Sequence, residues 1–238
     1  MNHKIKGIYI DKRDLQLFHY LFSVKAATYQ QIHRDIYQGI SLERTGQRLR
    51  SLEDNRFVEI SLSRLVLGGK RIVNLRKKAF EKMICNGDEK RKEFKSDSLL
   101  HDIALGDIRY NFLKSSKIVE YQTENEIQTW GGEERRLNSD GIVTIALPKR
   151  NIKAPIEFER TQKGKSRYSP MINKYYSASE FPIIFFISEE PHTIELVQNI
   201  EKELFKGESF KIFYALYQDI ITNETLKFKN GNGTVISL

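Results

Sequence analysis

One cysteine, Cys85, is all that the 238-residue chain holds, so neither an internal disulfide nor a cysteine-based metal site can form. A reducing cytosol fits that usage, and a cytoplasmic protein is expected. No run of about 18 apolar residues occurs, which excludes a membrane-spanning helix and membrane partners of that kind. The start, Met1-Asn-His-Lys-Ile-Lys, lacks the apolar stretch and small-residue cleavage site of a secretion signal. There is no phosphate-binding loop, no dinucleotide glycine fingerprint and no His/Cys set at zinc spacing, so ATP, NAD and structural zinc are not expected. Internal repeats are absent as well.

What is present is enough apolar material for packed cores: 39% hydrophobic residues, with 14 Phe and 11 Tyr, rule out wholesale disorder. The length makes two units the default. Charge separates them. Residues 1 to 97 carry 21 Lys and Arg against 12 Asp and Glu, net +9, and the remainder 18 against 19, net −1. A basic segment joined to a near-neutral one points to a polyanion-binding module, with nucleic acid the commonest partner, because cations that neutralise phosphates release condensed counterions.

The first third reads as three short helices and a hairpin. Leu15, Phe18, Leu21 and Phe22 recur at helical spacing after a capping Asp11; Thr28 caps a second helix ending near Gly39, and Ser41 a third. In the third helix Leu42, Leu49 and Leu52 are expected to face the core, while Arg44, Gln47, Arg48 and Ser51 share the opposite stripe. Two strand-like runs around Gly68-Gly69 form the hairpin. That order predicts a winged helix-turn-helix domain over residues 1–84. Its third helix would read bases in a major groove of double-stranded DNA, while Arg64, Lys70 and Arg71 on the wing touch phosphates. A charged stretch, 85–97, is the expected linker.

Residues 98–238 alternate helical and strand-like segments. A helix at about 98–114 precedes strand-like runs at 117–121, 137–147 and 153–160; a helix at about 167–178 follows, then the apolar Phe181-Pro-Ile-Ile-Phe-Phe-Ile. Beyond come a helix near 191–205, a strand at 210–217 and a hairpin turning at Asn230-Gly-Asn-Gly. The overall expectation is a two-domain α+β or α/β protein whose second domain has a mixed central sheet flanked by helices.

Chemistry is sought among the carboxylates. Asp140 falls inside the second strand-like run, and Glu157 and Glu159 alternate with Ile156 and Phe158, so both glutamates point to one face of a strand. Asp140, Glu157 and Glu159 are the candidate metal ligands, with Mg²⁺ or Mn²⁺ as the hard cations such oxygens suit. A bound ion of this type activates water and stabilises charge on a scissile phosphate.

Ser139-Asp140-Gly141 and Ile156-Glu157-Phe158-Glu159 resemble the two signature elements of PD-(D/E)xK nucleases, with their restriction-endonuclease-like αβββαβ core. The ordered set Leu99-Leu-His101, Asp140, Glu157-Phe-Glu159-Arg-Thr161 and Asn173-Lys174-Tyr175-Tyr176, following a winged helix, resembles the replication-relaxation family, which includes MobC-type plasmid mobilisation proteins. The resemblance implies a relaxosome role in conjugation, nicking or relaxing DNA by a metal-dependent route. It adds His101 and Lys174 to the catalytic candidates, and implies other relaxosome proteins as partners. A homodimer is compatible with it.

One departure matters: Glu159 stands where such nucleases carry lysine. Lys163, Lys165 or Lys174 could supply the missing cation, Glu159 could be a third ligand, or the centre could be inactive. His101 fits a structural hydrogen bond as well as a catalytic contact, and Lys174 with Tyr175 or Tyr176 is expected to pack or pair with the carboxylates. Two rival readings stand beside the nickase: a non-enzymatic winged-helix regulator or accessory factor with a degenerate nuclease domain, and a defence nuclease.

Overall fold

The computed structural model describes residues 3–5, 8–63, 68–85, 98–206 and 210–238. It is a mixed α/β structure of two compact units, Met1–Gly106 and Asp107–Leu238. Of the stretch expected to be a linker, only Cys85 lies among the described residues. The division between the units falls within one helix, Leu99–Lys114.

The first unit opens with a hairpin, β1 (His3–Ile5) and β2 (Ile8–Ile10), which the sequence reading lacked. Helices α1 (Lys12–Val24), α2 (Tyr29–Asp35) and α3 (Leu42–Asp54) follow, with β3 (Ala26–Thr28) between the first two. Asp11, Thr28 and Ser41 cap these helices by accepting a hydrogen bond from a backbone N–H three residues on. For α1 and α2 the third residue returns the bond, closing capping boxes Asp11/Asp14 and Thr28/Gln31.

Strands β4 (Val58–Ser63) and β5 (Lys70–Leu75) complete a three-stranded antiparallel sheet in the order β3-β5-β4. The core gathers Leu17, Phe18, Phe22, Leu49, Leu52, Phe57 and Phe80, the last opening the π-helical turn, Phe80–Ile84, that continues α4 (Lys77–Ala79). Leu42 does not join them. It is 43% exposed, because it is the first residue of α3 and precedes the turns that pack.

In the second unit, a seven-stranded mixed sheet has the order β12-β11-β10-β9-β8-β7-β6. Its strands are β6 (Ile118–Thr123), β7 (Gly141–Ala146), β8 (Asn151–Glu159), β9 (Ile184–Ser188), β10 (Ile212–Leu216), β11 (Lys227–Asn230) and β12 (Val235–Ser237). Strands β8, β9 and β10 run parallel and the outer pairings are antiparallel. Parallel neighbours need crossovers, and two helices supply them: α7 (Lys165–Ser177) from β8 to β9 and α8 (Pro191–Leu204) from β9 to β10.

The sheet curls until the Lys117 ammonium donates to the Ser237 carbonyl at 2.7 Å, linking residues at its two edges. One face buries Phe112, from the end of α5 (Leu99–Lys114), against Tyr121, Phe185 and Phe228. The other packs Ile142, Ile184, Phe186, Ile212 and Tyr214 against α6 (Glu124–Trp130), α7 and α8 through Ile127, Tyr168, Ile172, Tyr175, Val197 and Ile200. A short helix α9 (Tyr217–Thr222) follows β10. Among the described residues no helix is long and apolar enough to cross a membrane.

Candidate active site and nucleic-acid face

Strand β8 alternates as its sequence requires. Ile156 and Phe158 point to one face, where Phe158 packs on Tyr217 with ring centroids 5.3 Å apart, and Glu157 and Glu159 point to the other, toward α7. Both glutamates stand at the carboxyl end of a parallel strand, the end at which α/β sheets collect ligands.

Asp140 does not lie inside a strand, as the sequence reading had it; it immediately precedes β7. The reason is Asn138, whose φ of 53° turns the chain before the ladder begins. Gly141 pairs with Ile156, so the antiparallel register sets Asp140 opposite Glu157. The Asp140 side chain then extends the ladder: its Oδ2 accepts the Phe158 N–H at 2.7 Å. Gly141 fits closely beside it: a Cβ there would stand 3.0 Å from the Tyr121 ring and hydroxyl and 3.1 Å from the Gln122 carbonyl oxygen.

Glu157 is the electrostatic centre. The Tyr175 hydroxyl donates a hydrogen bond to its Oε1. Part of the residue stays accessible, yet its carboxyl lies among packed atoms. Burial, followed by the negative charge of Asp140, holds its pKa well above the usual carboxylate range; Glu159 adds to the rise, while the Tyr175 bond and Lys163 oppose it. Burial and the Glu157 charge likewise raise Tyr175, so its phenol keeps its proton.

The lysines take three different places. Lys163 donates to Glu159 Oε1 at 2.7 Å and is the one of the three candidates bonded to a site carboxylate. Its backbone N–H is held at 3.0 Å by the buried Tyr168 hydroxyl, which fixes the loop that returns it to β8. Lys165 instead pairs with Glu203, both exposed. Lys174 donates to the Leu137 carbonyl at 2.8 Å, so it braces the turn before Asp140. His101 belongs to the first unit, with Nδ1 3.7 Å from Asp102 Oδ1.

Among the described residues no three His, Cys, Asp or Glu side chains are gathered as a metal-holding group. The three carboxylates instead each have an internal partner: Asp140 accepts from the Phe158 N–H, Glu157 from the Tyr175 hydroxyl and Glu159 from the Lys163 ammonium. A cleft of about 690 Å³ opens at the opposite end of β8, lined among others by Glu134, Arg150, Lys153 and Phe181; it includes none of the site carboxylates.

In the first unit, Arg44 and Gln47 on α3 are exposed and Ser51 is half-buried. Arg48 is turned inward: its guanidinium forms a salt bridge with the fully buried Asp14 and donates to the Tyr9 carbonyl at 2.6 Å. Tyr37 donates to the same carboxylate at 3.0 Å, and burial together with Asp14 pushes the Tyr37 pKa up. Lys70 and Arg71 are exposed on β5, and Arg64 lies outside the described residues.

Arg50 was missed. Exposed on α3, it shares Tyr29 with Arg71, whose guanidinium carbon lies 5.6 Å from the ring centroid, and both cations oppose the burial that raises the Tyr29 pKa. Helical spacing alone put Arg50 off the stripe, and only the position of β5 reveals the pairing. No protein-family model, curated protein or solved structure matches the chain.

Proposed function

We propose that the chain binds double-stranded DNA through its first unit, a winged helix-turn-helix domain, and that its second unit is a restriction-endonuclease-like domain serving DNA nicking or relaxation in plasmid mobilisation. The order α1-β3-α2-α3-β4-β5, with exposed Arg44, Gln47, Lys70 and Arg71, supports the first half. The order α5-β6-α6-β7-β8-α7-β9, which follows the αβββαβ pattern with α6 added after the first strand, supports the second.

The observation that supports the reading is half-buried Glu157, set opposite Asp140 in register, with its pKa held up by the burial of its carboxyl and by the Asp140 charge. Asp140, Glu157 and Glu159 would hold Mg²⁺ or Mn²⁺, which when bound supplies an activated water and a counter-charge for the phosphate. Glu159 must exchange its bond with Lys163 for that role, which frees the ammonium to face a phosphate oxygen. Tyr175 orients Glu157, and Lys174 holds the turn that presents Asp140.

Supercoiled plasmid incubated with Mn²⁺ and the full chain is expected to become open circle, and Glu157→Gln to abolish the conversion. Equal conversion by both proteins would remove the site from the reaction. The second reading, a DNA-binding accessory factor without catalysis, is favoured by the internal partner each carboxylate already has. Duplex binding with no nicking by the wild type in Mn²⁺ or Mg²⁺ would select it.

A further inference from the structure

Arg48 is engaged in holding the N-terminal hairpin beside α3. At 100° per residue, Gln47 lies at the centre of the exposed stripe of α3, with Arg44 and the half-buried Arg48 toward one side, and Arg50, Glu43 and Asp54 toward the other. On the Arg50 flank stands the wing, through Tyr29 and Arg71. On the Arg48 flank stands the hairpin. Ile8 and Ile10 are buried in the core of the unit, so the residue between them must point outward, and Tyr9 is 52% exposed.

The Arg48 bond to the Tyr9 carbonyl fixes that outward aromatic at the edge of the stripe. The salt bridge from the same guanidinium to Asp14 fixes the start of α1, where Lys12 and Arg13 are exposed. The hairpin and the first turn of α1 therefore stand beside α3 on the side away from the wing, and they carry the exposed cations Lys12 and Arg13 next to the exposed cap Asp11.

We propose that this hairpin is a second DNA-contacting element: Tyr9, Lys12 and Arg13 engage the sugar-phosphate backbone flanking the groove entered by α3, and Arg48 is a positioning residue that sets them there. The proposal rests on the winged-helix reading of the first unit and adds a contact which that reading does not contain. Charge complementarity selects the partner, since Lys12 and Arg13 are exposed cations flanking an exposed aromatic, a combination suited to phosphates and sugars. Such contacts are sequence-independent and appear in the salt dependence of binding, each neutralised phosphate contributing a slope of about −0.9 in log K against log salt.

The test titrates a labelled duplex of mixed sequence with the full chain at several salt concentrations. It compares wild type, Lys12→Ala/Arg13→Ala, Tyr9→Ala, Arg44→Ala/Gln47→Ala and Arg48→Lys. The Lys12/Arg13 double variant is expected to reduce the salt slope by about two and to lose the corresponding affinity at low salt, with its melting temperature unchanged because both side chains are exposed. Tyr9→Ala is expected to weaken binding without altering the slope, and Arg48→Lys to reproduce part of the double variant's loss. Wild-type binding that Arg44→Ala/Gln47→Ala weakens, but that the hairpin variants leave unchanged in both affinity and slope, would overturn the inference while leaving the winged-helix reading intact. A wild type that fails to bind duplex at low salt would overturn both.

Discussion

The Tyr175 hydroxyl donates its hydrogen bond to Glu157, so a helix and a strand are tied at a carboxyl that its surroundings hold well above the usual range. The pair couples the stability of the second unit to the charge of the candidate site.

A glutamate in the unfolded chain ionises near pH 4.3, whereas folded Glu157 keeps its proton to higher pH. Between those two values the folded state binds more protons, so stability falls as pH rises through the folded pKa. Glu157→Gln removes that proton-linked loss. Urea unfolding followed from about pH 5 to about pH 8 is expected to show the variant gaining on the wild type as pH increases. A stability difference that stays constant with pH would contradict the burial argument.

Divalent ion binding should act on the same group in the opposite direction, because a cation among Asp140, Glu157 and Glu159 favours the ionised form. Added Mn²⁺ is expected to raise the melting temperature of the wild type more at higher pH than at lower, and to have little effect on Glu157→Gln. Equal shifts in both proteins would place the ion elsewhere.

The three candidate lysines are separated by their partners. Lys163 bonds a site carboxylate and Lys165 an exposed glutamate. If nicking is observed, Lys163→Met is expected to slow it by about 100-fold, the lower range for a positioned acid-base or charge-stabilising group, and Lys165→Met to leave it near wild type. The reverse order, read from initial rates of open-circle formation, would reassign the cation.

Arg48→Ala leaves Asp14 buried without its cation, and breaking such a pair costs about 3 kcal/mol or more. Asp14→Asn keeps an acceptor for the Asp11 N–H while removing the charge. The double variant Asp14→Asn/Arg48→Ala is therefore expected to be less destabilised than the sum of the two singles in urea melts. Strict additivity would mean that the pair does not interact.

Gly141→Ala drives a methyl group against the Tyr121 ring and the Gln122 carbonyl. A loss of about 1 to 3 kcal/mol is expected, as for other insertions into packed sites. An unchanged melting temperature would show that β6 and β7 can separate at no cost.

Local signals in the sequence had clear counterparts in the structure. The three helix caps at Asp11, Thr28 and Ser41 were legible because a cap is a bond between residues three apart. The β4–β5 hairpin and the Glu157/Glu159 face followed from turn chemistry and a period of two, both properties of contiguous residues. The N-terminal hairpin was not legible, because its two three-residue strands are shorter than any pattern that periodicity can register.

What the amino-acid order determined by itself was the local and additive part: charge asymmetry, helix and strand periods, caps, and the absence of disulfide, zinc and nucleotide signatures. What only the tertiary structure decided was which side chain each group meets across long chain separations. Arg48 reaches Asp14 across 34 positions, Asp140 reaches the Phe158 amide across 18, and Lys174 reaches the Leu137 carbonyl across 37. Such pairings depend on strand register and helix packing. No local propensity encodes them, which is why one arginine read as a base contact stands as an internal clamp.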